Sequence, residues 1–224
     1  FRSELFHRTM NDAKKAEWIF FHLHCKTVGY HNDMYPPSAQ GQAREVPVQD
    51  QVDEYEVIGP DGYGYPIYAL KQNHKALYGS LISEQDMAKA YDDGNPYVNR
   101  DPRFYRDIIY HGSMFKGKWI NTATGADAIN AANSTSTGYF TRKYFDGYYT
   151  KGMSGNWNFD APLIRLATIY LVYAEAVTRS KGATPEVYNL MNELRARSFM
   201  APIPPAAQTN KELLLDYILR ERRV

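Results

Sequence analysis

The chain has little cysteine, no long apolar run and almost no net charge. Cys25 is the single cysteine among 224 residues, which excludes an internal disulfide framework and a cysteine-rich zinc site. No run of about 18 apolar residues occurs, so the sequence predicts no membrane-spanning helix. The 26 Lys and Arg residues nearly balance the 25 Asp and Glu residues, which leaves a formal charge of +1. This balance argues against nucleic acid or an anionic membrane surface as a partner.

What the chain has in excess is tyrosine. It contains 19 Tyr, against 10 Phe and 3 Trp. Tyrosine offers a flat apolar face with a polar tip and is favoured where protein surfaces meet ligands. The composition therefore favours recognition over chemistry.

Residues 1–160 are predicted to form a loop-rich region with short helices and strands. Clusters of Tyr, Pro and Gly over residues 29–47 and 59–66 indicate loops. The alternating apolar residues from Glu17 to Leu23 predict a strand. Residues 121–138 are Ala, Asn, Ser and Thr with almost nothing to bury, which predicts a surface excursion. Three strand-like pieces are predicted around it: Asp107 to His111, Lys118 to Asn121 and Gly138 to Phe145.

Residues 161–224 have the pattern of a helical hairpin followed by a truncated third helix. The first helix is predicted to start at an Asp160 cap and to end at Gly182, and the second to start at Thr184. Two antiparallel helices with a short turn resemble one tetratricopeptide-type hairpin, which cannot bury its own face. We therefore expect the chain to be a fragment of a longer protein. The predicted buried face of the first helix is Leu163, Leu166, Ile169, Tyr170, Tyr173, Ala174 and Val177.

The third helix is predicted to begin with a capping box of Thr209 and Glu212. Its apolar residues Leu213, Leu214, Tyr217 and Ile218 are expected to face inward.

Several segments, in order and in rough spacing, resemble those of one family, SusD/RagB. They start with Asp101-Pro102-Arg103-Phe104-Tyr105 and end with Ile218 and Glu221-Arg222-Arg223. Upstream, Val46 to Asp53 is similar to the family's Pro-Thr-x-x-Leu-Val-Asp segment, from which Val48 and Gln51 depart. Thr168 also departs, since Glu is usual there. The segments between are Gly138 to Lys143, Ile164 to Ala167, Tyr170 to Ala176 and Asn192 to Arg197.

The resemblance implies a mainly α fold, with a tetratricopeptide-type helical scaffold, long loops and a few short strands. It implies an outer-membrane lipoprotein of Bacteroidetes, of which this chain would be the C-terminal half, with the lipid anchor upstream. Such a protein captures oligosaccharides at the cell surface for a SusC-like TonB-dependent transporter and is not an enzyme. RagB-like members imply an alternative, capture of oligopeptides.

Aromatic side chains on loops are the favoured ligand contacts, because an aromatic face stacks on the C–H face of a sugar ring. The alternative for each residue is that it packs against the loop that carries it. Trp18, Tyr170 and Tyr173 are assigned to the core by their spacing. The candidate ligand-binding residues are Tyr30, Tyr35, Trp119, Tyr148, Tyr149 and Trp157.

No cofactor is expected, and no metal site is assigned. His22, His24 and Cys25 form the best metal-like cluster, yet packing is the favoured interpretation because Cys25 points away from the two histidines on a strand. No EF-hand-type calcium loop occurs, and Asp61-Gly62 and Asp92-Asp93-Gly94 are interpreted as turns. A structural calcium ion therefore stays unassigned.

The sequence carries no motif of a hydrolase, metalloprotease, nucleotide-binding or dinucleotide-binding enzyme. A glycoside hydrolase is the least favoured alternative, since its paired carboxylates need not be neighbours in sequence. The charged residues on the C-terminal helices are interpreted as interhelical ion pairs rather than acid–base pairs. These residues are Arg165, Glu175, Arg195, Arg197, Glu221 and Arg222.

Overall fold

The computed structural model describes residues 17–26, 30–70, 78–79, 81–143 and 158–224. Their contacts divide the chain into two compact units. Unit 1 contains the described parts of Phe1–Gln49 and Arg106–Leu166, and unit 2 contains those of Asp50–Tyr105 and Ala167–Val224. The predicted division into a ligand-binding region and a helical region at residue 160 stays a prediction.

Unit 1 contains an antiparallel ribbon of two strands, β1 (Trp18–Lys26) and β8 (Asn158–Arg165). Its register pairs Trp18 with Arg165 at one end and Lys26 with Asn158 at the other. The strand predicted from Glu17 is confirmed and extends three residues further than Leu23. The helix predicted to start at Asp160 is wrong over its first residues, because the backbone there pairs with β1 and the helix begins only at Leu166.

The rest of the described part of unit 1 consists of short elements around a small aromatic and aliphatic core. The predicted strands are confirmed as shorter ladders: β4 (Ile108–Ile109) pairs with β7 (Phe140–Thr141), and β5 (Met114–Phe115) pairs with β6 (Lys118–Trp119). Tyr35, Phe115 and Phe140 are buried at the centre of this core. The other elements are α1 Tyr30–Met34 and a 3-10 turn Pro37–Ala39.

The polar excursion over residues 121–138 lies largely on the surface, as predicted, and two side-chain hydrogen bonds connect it to the segment before β4. The buried carboxylate of Asp127 accepts a hydrogen bond from the Ser38 N–H at 2.8 Å. The Thr137 hydroxyl donates to the Pro47 carbonyl at 2.7 Å. Side-chain hydrogen bonds therefore replace the apolar core that this segment lacks.

Unit 2 combines short elements from the middle of the chain with the C-terminal helices. The short elements are α2 Gln49–Asp53, β2 Val57–Ile58, β3 Gly64–Tyr65, α3 Ile67–Leu70, α4 Glu84–Ala90 and α5 Pro102–Asp107. The C-terminal elements are α6 Leu166–Lys181, α7 Pro185–Ala196, a 3-10 turn Pro205–Gln208 and α8 Lys211–Arg223.

The turn between α6 and α7 begins and ends at the residues that the sequence predicts, Gly182 and Thr184. Gly182 has a φ of 86°, the left-handed conformation that ends a helix. Thr184 caps α7, with Pro185 at its first position. The third helix is capped one residue later than predicted, because the Asn210 side chain, not Thr209, accepts the Leu213 N–H.

The buried face of α6 differs from the predicted one. Ala167, Leu171, Ala174 and Thr178 are buried, and they recur every three or four residues on one side of the helix. Of the predicted face only Ala174 is fully buried, while Ile169, Tyr170 and Tyr173 are exposed. The assignment of Tyr170 and Tyr173 to the core is therefore wrong. The small Ala residues lie where α6 packs closely, which leaves the large side chains outside.

No helix within the described ranges combines the length and the hydropathy needed to cross a bilayer.

Candidate functional site

A hairpin with a two-residue turn in unit 1 displays Trp119, the more exposed of the two predicted ligand residues whose side chains the structure describes. Lys116 and Gly117 form the turn between β5 and β6, with φ angles of 49° and 75°. Two positive φ angles make a type I′ turn, whose twist matches that of the flanking strands. A glycine at the second position adopts this conformation at no steric cost.

The pairing register determines which side chains of the hairpin face outward. Met114 pairs with Trp119, and Phe115 pairs with Lys118. Because successive side chains on a strand alternate between faces, Met114 and Trp119 share one face while Phe115 and Ile120 point to the core. Phe115 and Ile120 are buried, whereas the Trp119 side chain is 70% exposed.

Contacts below the hairpin hold it in place. Tyr35 is 2% exposed, its ring meets Phe115 edge-on at 5.2 Å, and the Lys116 ammonium lies 4.6 Å from its centre. The Lys118 ammonium donates to the Ser38 carbonyl at 2.7 Å. Trp119 is therefore presented on a supported strand, a rigid platform whose indole offers a stacking face and one N–H donor.

The structure describes the other predicted ligand residues to different extents. Tyr35 packs in the core beneath the hairpin, and its predicted ligand contact stays a prediction. Tyr30 lies in α1, and its side chain is outside the described part. Tyr148, Tyr149 and Trp157 lie outside the described residues altogether. Of the predicted ligand residues, the structure therefore describes the side chains of Trp119, which is exposed on the outer face of the hairpin, and Tyr35, which is buried beneath it.

Several polar groups at the start of the excursion hydrogen-bond to one another or to the neighbouring His111. Asn121 Oδ1 accepts the N–H groups of Ala123 and Thr124, at 2.9 and 3.0 Å. The Thr122 N–H donates to His111 Nδ1 at 3.1 Å, which leaves the proton of a neutral His111 ring on Nε2. The side chain of His111 is exposed, so this Nε2–H is available as a donor.

Metal-type clusters are not a feature of the described residues. No group of three His, Cys, Asp or Glu side chains within them is arranged to hold an ion. The carboxylate of Asp61 accepts from the Tyr63 N–H and the Tyr65 hydroxyl, and Asp92 accepts from the Gly94 N–H, as expected of turns. The side chains of His22, His24 and Cys25 lie outside the described part.

The residues that carry the family resemblance in unit 2 meet in a buried network of charges. Arg195 of α7 makes a two-pronged pair with Glu56, at 2.6 and 3.1 Å. Arg103 of α5 pairs with Asp101 at 2.7 Å and with Glu221 of α8. The prediction of interhelical ion pairs is confirmed for Arg195 of α7 and Glu221 of α8, which pair with each other at 3.5 Å.

Glu56 connects this network to a third arginine, Arg220, at 3.5 Å. Burial tends to lower the pKa of Arg195, but its interactions with Glu56 and Glu221 together outweigh burial and raise that pKa. For Arg220 burial prevails and lowers the pKa, although Glu56 and Glu54 oppose it. Burial likewise raises the pKa of Glu54 against the pull of Arg220 and Arg223.

Gly64 is the residue that lets this network pack against the backbone. A Cβ atom at Gly64 would lie 2.2 Å from Glu56 Oε2 and 2.4 Å from Arg195 Nη2. The Tyr217 hydroxyl also donates to the Gly64 carbonyl, at 2.8 Å. Arg195, Glu56, Tyr217 and the Gly64 carbonyl are thus joined by buried hydrogen bonds, which fits a structural role.

On the surface of the same helices, Glu175 of α6 pairs with Arg179 at 2.8 Å and with Arg222 of α8. The pKa of Glu175 is lowered, first by the hydrogen bond from Arg179. The predicted interhelical pairing is thus confirmed for Glu175 and Arg222 as well.

Comparison with known proteins identifies the family. The model of the SusD family matches residues 16–224, so the chain belongs to the SusD family. Its fold is the mainly α, SusD-like fold that the resemblance implied. No curated protein matches the chain.

Two solved structures from Bacteroides fragilis are similar to the chain over its whole length. A SusD-like carbohydrate binding protein matches with 21% identity and a TM-score of 0.71, and the match covers 100% of this chain and 41% of the matching chain. A SusD-like protein matches with 24% identity and a TM-score of 0.63, covering 99% and 42%. The chain therefore spans about two fifths of the length of these structures.

Proposed function

We propose that this chain is part of a cell-surface protein that captures oligosaccharides and passes them to a SusC-like TonB-dependent transporter without cleaving them. The observation that carries the proposal is Trp119, exposed on a supported hairpin in a chain of the SusD family. The matching structure described as a carbohydrate binding protein supports the ligand class. We further propose that the protein is held at the outer membrane of a Bacteroidetes bacterium by a lipid anchor upstream.

A sugar ring gains from stacking on Trp119 in two ways. The indole face carries negative character and the C–H face of a pyranose slight positive character, so burial and electrostatics act together. The hydroxyl groups of the sugar exchange hydrogen bonds with water for hydrogen bonds with the protein, so these bonds add little net free energy of binding. We expect an affinity of about 10 μM to 1 mM, or roughly −4 to −7 kcal/mol.

The experiment is a glycan-array screen followed by titration calorimetry of the best ligand. Trp119→Ala should weaken binding at least tenfold, and Trp119→Tyr should retain part of it, because the ring face remains. Phe199→Ala is the matched control, since Phe199 is 78% exposed but belongs to unit 2. Equal affinities of Trp119→Ala and wild type would contradict the site assignment.

The same screen separates the alternatives. Binding of oligopeptides and of no glycan would favour the RagB-like function, which needs backbone hydrogen-bonding groups along a cleft instead of a stacking platform. Release of shorter sugars at a steady rate, followed by chromatography, would show a hydrolase and overturn the non-catalytic proposal.

A further inference from the structure

The 3-10 turn Pro37–Ala39 of unit 1 binds both the hairpin that carries Trp119 and the polar excursion. The Ser38 carbonyl accepts a hydrogen bond from the Lys118 ammonium of β6 at 2.7 Å. The Ser38 N–H donates to the Asp127 carboxylate of the excursion at 2.8 Å. The backbone of one residue therefore joins two segments that lie 80 and 89 residues further along the chain.

The turn itself is a firm anchor for these two bonds. The proline rings restrict the backbone angles of Pro36 and Pro37. The N–H groups of Ala39 and Gln40 donate to the carbonyls of these two prolines, at 2.9 and 2.8 Å. The backbone of the turn is thereby fixed, and a side chain that binds to it is held in a defined place.

Trp119 follows directly after one of the two bonds. Lys118 pairs with Phe115 and shares the core-facing side of the hairpin with it. Its ammonium therefore reaches back to the turn, while the next side chain, Trp119, points outward. Residues 118–127 are closed into a loop whose two ends both bind Ser38. This closure removes backbone freedom from the segment in which Trp119 lies.

Asp127 is a costly residue to place in this loop. It is 5% exposed, and within the described part of the chain the Ser38 N–H is the one donor to its carboxylate. Burying a carboxylate with so few donors costs free energy. The residues on either side, Ala126 and Ala128, are small and neutral. The bond to Ser38 is therefore the contact that accounts for a carboxylate at this position.

From this geometry we propose that Asp127 and Lys118 are positioning residues for Trp119: they hold the hairpin and the loop to Ser38, which fixes the orientation of the indole. Neither residue needs to touch the ligand. The ligand of Trp119 rests on the proposed function, whereas the orientation of its indole can be measured without any ligand.

The test follows Trp119 by fluorine NMR of the protein with its natural flanking sequence, labelled with fluorotryptophan. Loss of one resonance in Trp119→Phe assigns the signal. Asp127→Ala and Lys118→Met should each shift or broaden it, because the indole then samples more orientations. The resonance of Trp18, in β1 of the same unit, should stay in place, which separates positioning from a general loss of structure.

Conservative variants test how the two residues act. Asp127→Asn keeps an oxygen that accepts the Ser38 N–H, and Lys118→Arg keeps a cationic donor, so both should retain the wild-type resonance. Thr137→Val is the matched control, since the Thr137 hydroxyl also joins the excursion to an earlier segment but does not bind Ser38. It should leave the Trp119 resonance unchanged. Circular dichroism checks that each variant is folded.

Titration calorimetry with the best glycan of the array gives the functional readout. Asp127→Ala and Lys118→Met should each weaken binding about threefold to tenfold, the effect of one lost hydrogen bond. Asp127→Asn should restore most of the affinity. If Trp119→Ala bound the glycan as well as wild type, the proposed ligand site would fail, while the NMR spectra would still decide how Trp119 is positioned.

Three results would overturn the positioning role. One is a Trp119 resonance that stays unchanged in both Asp127→Ala and Lys118→Met. Another is an equal disturbance of the Trp18 and Trp119 resonances, which would leave Asp127 with a general stabilising role. The third is a change in Thr137→Val as large as that in Asp127→Ala.

Discussion

At the scale of single residues, the pair of Arg195 and Glu56 is the most consequential contact in unit 2. Both side chains are almost completely buried, and Glu56 also faces Arg220. Glu56→Gln would leave two buried guanidinium groups with less than their compensating charge. Removing one partner of a buried pair costs about 3–5 kcal/mol. We expect a loss of that size in the free energy of unfolding, measured by urea denaturation.

Glu175→Gln is the matched control for this variant. Glu175 also pairs with two arginines, but on the surface, where water and salt screen the interaction. Its urea midpoint should stay near that of wild type. If Glu56→Gln and Glu175→Gln behaved alike, the buried network would not be the structural centre that its geometry indicates.

Residue-level prediction from the sequence succeeded where one local rule was enough. Gly117 predicts a turn just before Trp119, and the structure exposes Trp119 on the strand that follows, although its ligand contact stays a prediction. Tyr170 and Tyr173 fit an apolar helical stripe, yet α6 turns its small residues Ala167 and Ala174 inward. The stripe contains two overlapping faces, and only the tertiary packing of α7 and α8 decides between them.

At the scale of elements, two adjacent residues are candidates for the N-cap of α8, Thr209 from the sequence and Asn210 from the structure. The Asn210 side chain accepts the Leu213 N–H at 3.1 Å, whereas Thr209 belongs to the end of the preceding 3-10 turn. Asn210→Ala should therefore lower the free energy of unfolding by about 1 kcal/mol. Thr209→Ala should lower it clearly less, in the same urea experiment. A larger effect at Thr209 would restore the capping box predicted from the sequence.

The prediction of element boundaries was wrong where the strands that pair lie far apart in the chain. Asp160 looks like a helix cap in its local context, but Ala161 and Pro162 pair with His22 and Phe21 of β1, about 140 residues earlier. That pairing gives the backbone hydrogen bonds that an early helix would otherwise supply. Local propensity carries no information on such a distant strand, whereas Gly182 and Thr184 act within one turn and were predictable.

At the scale of the whole molecule, several of the residues that carry the family resemblance perform one structural task. Asp101 and Arg103 lie on one segment, and Arg195 and Glu221 lie on two others. All four meet in the same buried network. A network of this kind fixes residue types at many positions at once, which makes a distinctive sequence pattern. A ligand platform such as Trp119 needs only an exposed ring on a firm strand, so its pattern is weak.

Because the ligand platform at Trp119 is distinct from the buried charge network, the proposed transporter partner can be tested separately from ligand binding. If the protein delivers glycans to a SusC-like transporter, the two proteins must stay associated through a surface of at least about 1,200 Å² while ligand enters. A tagged copy, expressed with its natural flanking sequence in its host and extracted in detergent, should co-purify with a TonB-dependent transporter in near-equal amount, identified by mass spectrometry. Trp119→Ala should co-purify equally well, because it alters the ligand platform alone, and growth on the bound glycan should slow. If wild type brings down no transporter, the protein acts as a free-standing surface binder.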